Sequence, residues 1–145
     1  MLNSIVIKVS LRELTRKKVC ELGTSIYKGG TTKHYSISDN IGILKLNYKY
    51  SKGYFGDKGQ GRDFTRNISS SNPVKTAKEF YDTASKGGIE TTYSKGKYTK
   101  LSDGTIISYR ETSSSDGTSV VEINIRQSSN SAGVKFQKIH FVEGD

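Results

Sequence analysis

The stretch SDGTIISYRETSSSDGTSVVEINIRQSSNSAGVKFQKIHFV, Ser102–Val142, decides the fold. Three segments within it alternate in character, Ile106–Thr112, Val120–Arg126 and Gln137–Val142, and turns rich in Gly and Ser separate them. That is the pattern of an antiparallel meander. Alternation sends successive side chains to opposite faces of a strand. One face receives Ile107, Tyr109, Val121, Ile123, Ile125, Ile139 and Phe141, enough apolar bulk for a core. The other receives Ser108, Arg110, Thr112, Glu122, Asn124, Arg126, Lys138 and His140. The open face of an antiparallel sheet is ordinarily polar, so a solvated surface is one reading of that set. A site for a phosphodiester is the other.

Upstream, SNPVKTAKEFYDTASKGG (residues 71–88) reads as a helix. Asn72 caps it, Pro73 takes the first helical position, and Gly87–Gly88 stop it. Val74, Ala77, Phe80 or Tyr81, and Ala84 recur at helical spacing and form one apolar stripe, able to cover the apolar face of the sheet. Ile89–Tyr93 and Lys97–Leu101 then make a hairpin around Ser94-Lys95-Gly96. Residues 62–145 therefore read as one α+β domain, a leading helix packed on a twisted antiparallel sheet of about five short strands.

Residues 1–61 read as a basic α/β extension. Ser4–Val9 predicts a strand, and Ser10 caps a helix from Leu11 to about Leu22 that carries Arg12, Arg16, Lys17 and Lys18 on a basic stripe, solvated or RNA-contacting. Ser25–Tyr27, His34–Ser38 and Ile41–Tyr50 predict strands, the last with Leu44, Leu46, Tyr48 and Tyr50 on one face and Lys45, Asn47 and Lys49 on the other. Lys52–Arg66, with Gly53, Gly56, Gly59 and Gly61, reads as a flexible linker and lacks the GKS or GKT of a phosphate loop.

The 145 residues carry a net charge of +9, which favours an anionic partner. The charge is uneven: residues 1–61 hold 11 Lys/Arg against 4 Asp/Glu, and residues 62–145 hold 12 against 10. Anion chemistry in the second part must rest on a few placed residues. Cys20 is the single cysteine, which excludes an intrachain disulfide and a thiolate zinc site. With two His and no dense carboxylate cluster, neither a metal nor a cofactor is expected. The opening MLNSIVIKVSLREL has no apolar run long enough for a signal peptide or a membrane span. Export would then require a larger chain or a dedicated machine.

Four pieces in order, SDGTIISYR (Ser102–Arg110), SSSDGT (Ser113–Thr118), VVEINI (Val120–Ile125) and FQKIHF (Phe136–Phe141), resemble a family of C-terminal toxin domains of bacterial polymorphic toxins, of the contact-dependent inhibition and LXG types. The helix and the following Lys-Gly-Gly-Ile-Glu fit as well, so the resemblance covers roughly residues 65–143. Ser119 stands where a Pro usually follows the DGT turn. Such domains are similar to the barnase/EndoU/colicin/RelE group of small ribonucleases, many of which cut tRNA. The resemblance implies a ribonuclease delivered as part of a larger secreted effector to the cytoplasm of a target bacterium. It also implies a cognate acidic immunity protein, and leaves room for a host factor in the target cell. Residues 1–60 match no part of the family; by position they correspond to a cell-entry segment.

RNA cleavage without a metal requires a base for the 2′-OH proton, an acid for the leaving 5′-oxygen, and cations around the phosphorane. His140 is the natural proton-transfer group, and Arg110 can present a planar fork to two phosphate oxygens. Lys138 and Arg126 add positive charge. Glu122 is the base partner for His140, or else a salt-bridge partner of Arg110 or Arg126. Ser108, Thr112, Ser113 and Asn124 can hydrogen-bond phosphate or base edges, or are ordinary strand polarity. His34 can supply a second imidazole only if the N-terminal part folds onto the site, and Tyr93, Tyr98 and Tyr109 are core or surface aromatics before they are base-stacking ones. The readings that compete with a tRNA-cleaving ribonuclease are a metal-dependent toxin deoxyribonuclease and a non-catalytic RNA-binding module.

Overall fold

A computed structural model describes residues 35–114 and 116–144. The expected elements at Ser4–Val9, Leu11–Leu22 and Ser25–Tyr27, and His34 itself, lie outside the described residues. Two helices pack on a mostly antiparallel, mixed sheet of seven strands, an α+β architecture. The strands β7 (Ile106–Arg110), β8 (Ser119–Asn124) and β9 (Gln137–Glu143) form the expected meander, with Tyr109 opposite Val121 and Val121 opposite Ile139. On its far side β7 pairs with β6 (Gly96–Lys100), which pairs with the edge strand β5 (Ile89–Tyr93).

Helix α2 (Pro73–Ala84) begins at Pro73, and the Asn72 side chain accepts from the Lys75 amide at 3.3 Å. Asn72 thereby satisfies one of the orphan donors of the first turn. Its buried residues Ala77, Phe80, Tyr81 and Ala84 lie on the apolar face of the sheet. Phe80 is the centre of the aromatic packing. Its ring lies 5.0 Å from that of Tyr48, 5.2 Å from Phe55 and 5.7 Å from Phe141. Such tilted and edge-on pairs add about 0.5–1.5 kcal/mol each beyond the area they bury.

The segment before residue 62 departs most from expectation. The strands expected at His34–Ser38 and Ile41–Tyr50 are replaced by helix α1 (Ile37–Asn47). Ser36 and Asp39 form its start, with the Ser36 amide donating to Asp39 Oδ2 at 2.8 Å. Ile37, Ile41 and Leu44 recur at helical spacing and are buried, whereas Leu46 is 85% exposed. A strand would have put Leu44 and Leu46 on one face; the helix separates them. Two buried polar groups fix α1 in place. Asn40 donates to the carbonyls of Ala84 (2.8 Å), the last residue of α2, and of Lys86 (3.1 Å) just past it, and Asp103 accepts from the Ile37 amide.

Lys52–Arg66 is not a free linker. After the short β1 (Tyr50–Ser51) it forms β2 (Tyr54–Phe55), β3 (Asp57–Lys58) and the start of β4 (Thr65–Ser70). Its glycines serve tight backbone geometry: Gly56 has φ +65°, and a Cβ there would meet the Asn67 carbonyl oxygen at 2.2 Å. The buried Gln137 side chain ties this hairpin to β9, accepting from the Phe55 amide at 2.8 Å and donating to the Gly53 carbonyl at 2.9 Å. β4 runs parallel to β9, the one parallel pairing in a sheet expected to be wholly antiparallel. Its order is β3-β4-β9-β8-β7-β6-β5. Ile37, Ile41, Leu44 and Phe55 share one core with Phe80, Ile107, Ile123 and Phe141, so residues 37–58 pack with the segment that follows residue 61. No helix among the described residues is long and apolar enough to cross a membrane.

Candidate functional site on the open sheet face

Helix α2 covers one face of the sheet, and strand alternation puts the polar set on the other. Two cross-strand rows organise it. One runs Ser108, Glu122, Lys138, Thr65, and the next runs Arg110, Val120, His140, Asn67. Residues in register on neighbouring strands have Cβ atoms about 4.5–5.5 Å apart, so each row is a line of adjacent side chains. Lys138 separates two hollows and lines both. The smaller, of about 250 Å³, is bounded by Tyr93, Ser108, Arg110, Val120 and Glu122. The larger, of about 450 Å³, is bounded by Gln60, Phe64, Thr65, Asn67, Asp116, His140 and Val142.

His140 is 6% exposed. Its Nδ1 lies 2.8 Å from Thr118 Oγ1 and 3.4 Å from Asp116 Oδ2. Burial pushes the Asp116 carboxyl up, but the hydroxyls of Ser113 and Thr118, the Thr118 amide and the charge of His140 together bring it down to about 2. Asp116 is therefore ionised at neutral pH and can only accept hydrogen bonds. Thr118 must spend its single proton on Asp116 Oδ1, at 2.7 Å. Its oxygen is then an acceptor toward Nδ1, which fixes the Nδ1–H tautomer of the neutral ring. Nε2 has no hydrogen-bond partner among the described residues, and His140 lines the larger hollow. A histidine so held can take or give a proton at Nε2 without losing its orientation.

Sequence reading missed Asp116 and Thr118 as members of the site. Both stand in the SSSDGT turn between β7 and β8, where Asp and Gly suit the backbone geometry and hide the second use of the carboxylate. Pairing makes it visible: Val120 is opposite His140, which carries the end of the turn to the imidazole. Glu122 is instead opposite Lys138 and diagonal to His140, a backbone spacing of roughly 7–8 Å. Among the described residues it makes no ion pair with Arg110, Arg126 or Lys138, so its carboxylate is not consumed by a salt bridge.

Arg110 lines the smaller hollow with Glu122 and Lys138, and its guanidinium reaches Ser114 Oγ only at 3.4 Å. Opposite it Gly96 gives it room, since a Cβ there would meet the Tyr109 carbonyl oxygen at 2.1 Å and Arg110 Cγ at 3.1 Å. Ser108 joins this group. The other expected contributors do not line these two hollows. Thr112 lines a third hollow with Ser71, Asn72, Thr118 and Phe141, which His140 does not line. Ser113 is buried, and its hydroxyl donates to Asp116 Oδ1 at 2.6 Å. Asn124 accepts from the Arg126 amide at 3.0 Å, and Arg126 stacks over the Phe136 ring at 4.3 Å. Tyr109 belongs to the core, while Tyr93 and Tyr98 pair at 6.1 Å. Among the described residues no group of three or more His, Cys, Asp or Glu could hold a metal ion.

Comparison with protein-family models, curated proteins and solved structures finds no match for this chain.

Proposed function

We propose that this protein is an endoribonuclease that cleaves RNA by acid/base transesterification on the open sheet face, and that tRNA is its substrate. The observation that carries the reading is the Asp116–Thr118–His140 chain: an imidazole oriented from behind, lining a hollow with Lys138, while Glu122, free of ion pairs among the described residues, stands diagonal to it across β8 and β9. Glu122 takes the 2′-OH proton as the 2′-oxygen attacks phosphorus. The bond from phosphorus to the 5′-oxygen breaks, and His140, protonated at both nitrogens, donates from Nε2 to the departing oxygen. The products are a 2′,3′-cyclic phosphate and a free 5′-OH. Arg110 and Lys138 lie where the nonbridging oxygens gather charge, and such placed cations are worth most as the phosphorane forms. Asp116 faces the imidazolium and offsets its charge.

The resemblance to polymorphic-toxin domains supplies the setting: a toxin released within a larger effector, acting in the cytoplasm of a competing bacterium, and neutralised in its producer by an acidic immunity protein. Such an inhibitor would cover the Arg110–Lys138 face, where charge complementarity speeds association and blocks the substrate together. Incubation of the full chain with tRNA tests the reading, with and without EDTA and with His140→Ala in parallel. Cleavage that survives chelation and is lost in the variant is expected. Cleavage that stops under EDTA points to a metal-dependent nuclease, and RNA binding without cleavage points to a non-catalytic module.

A further inference from the structure

We propose that the larger hollow is a subsite for one unpaired nucleobase flanking the scissile phosphate, with Phe64 as its stacking surface; the inference rests on the ribonuclease reading and narrows its substrate to single-stranded segments. The hollow adjoins the proton-transfer group and yet has walls that proton transfer does not need. Its floor is Thr65 and Asn67 of β4 beside Lys138 and His140 of β9, all in register. Its wall is Gln60 and Phe64, from the connection between β3 and β4.

Phe64 is half-buried, and Phe136 meets it edge-on at 5.2 Å. The Arg126 guanidinium in turn stacks over Phe136. This backing holds an aromatic ring on the wall of a hollow that mixes apolar and polar groups and carries one cation, Lys138, and one anion, Asp116, where no core demands it. Base–aromatic stacking tolerates every base, since each has a π-face. The Asn67 side chain makes no hydrogen bond among the described residues, and it stands opposite His140 across β4 and β9. Gln60 is exposed at the rim. A carboxamide offers a donor and an acceptor side by side, which suits the edge of a base freed from its pairing partner. A base inside a duplex presents neither its face nor that edge. The subsite thus selects loops, bulges and ends.

The test uses the full chain and two fluorescein-labelled 2′-O-methyl RNAs of one mixed sequence, one single-stranded and one closed into a duplex, which blocks cleavage and leaves binding to be read by anisotropy. Wild type is expected to bind the single strand about 10-fold tighter than the duplex, within the usual worth of a stacked base. Phe64→Leu, which keeps the apolar bulk against Phe136 but removes the π-face, is expected to lose that preference and leave duplex affinity unchanged. Phe64→Tyr should restore it. A 2-aminopurine placed in the single strand should be quenched by wild type and not by Phe64→Leu. Equal affinity for both RNAs, or a Phe64→Leu variant with undiminished single-strand preference, overturns the subsite. Cleavage is scored separately: Phe64-dependent single-strand binding without any cleavage sinks the ribonuclease reading and leaves the subsite standing.

Discussion

The relay behind His140 makes a prediction that a merely structural turn does not. Asp116→Asn preserves the shape of the side chain and removes its charge. The carboxylate accepts from Ser113 Oγ at 2.6 Å, Thr118 Oγ1 at 2.7 Å and the Thr118 amide at 3.1 Å. An amide oxygen can keep these contacts in weakened form, so the turn should survive. What changes is the demand on Thr118, whose hydroxyl is no longer bound to donate toward a charge. It can then donate to Nδ1 and favour the tautomer with Nε2 protonated, and the charge facing the imidazolium is gone. General acid–base groups contribute roughly 10²- to 10⁴-fold. Loss of their orientation should forfeit part of that, and we expect Asp116→Asn to cut the cleavage rate about 10- to 100-fold. Thr118→Val breaks the same relay at its middle and should cost a similar factor. The double variant should be little worse than either single one, because both remove one chain. That corresponds to a coupling in the range of about 0.5–3 kcal/mol found for residues in one network. Initial rates on a fluorogenic RNA, with circular dichroism to confirm folding, measure the cycle. Multiplying rate losses in the double variant, or a folded Asp116→Asn within twofold of wild type, would refute the relay.

Other expectations follow from the same contacts. Asp103 and Asp116 both titrate below the ordinary carboxylate range, because hydrogen bonds outweigh the opposing effect of burial. Their folded-state values lie below the unfolded ones, so the stability they contribute is present above about pH 4 and lost as pH falls through the folded-state values, about 2 for Asp116. Thermal melts across that range should show it, with a shallower acid limb in Asp116→Asn; an identical limb would contradict the assignment. Phe80→Ala should cost about 3–5 kcal/mol in denaturant unfolding, since the ring is fully buried among Tyr48, Phe55 and Phe141. Gly56→Ala should both destabilise the fold and weaken RNA cleavage, because its Cβ collides with the backbone of Asn67 in the floor of the larger hollow. A variant as stable and active as wild type would show that this backbone is free to shift.

The meander and its two faces were legible because alternation there is strict and one face is buried, so register and side follow together. Ile107, Tyr109, Val121, Ile123, Ile139 and Phe141 are core residues as expected. Helix α2 was equally plain, because Asn72 and Pro73 mark its start. α1 was not, because ILKLNYKY satisfies period two from residue 43 to 50, while its Leu44 also continues the helical spacing of Ile37 and Ile41. Contacts distant in sequence decided between them, Asn40 with the end of α2 and Asp103 with the first turn of α1. The parallel pairing of β4 with β9 likewise leaves no local signal, since Thr65–Ser70 is short and polar. The polar face could be read in outline, with His140, Arg110, Lys138 and Glu122 on it. Its support could not, because the Asp116 contact joins residues 24 positions apart through a turn whose own geometry already accounts for an Asp.

The central claim, that His140 transfers a proton in breaking a phosphodiester, is tested most directly by the ends it leaves. Full-chain protein incubated with tRNA in EDTA should yield fragments bearing 2′,3′-cyclic phosphate and 5′-OH termini, and His140→Ala should yield none above background. Intact RNA, termini with 5′-phosphate, or undiminished cleavage by the variant would contradict it.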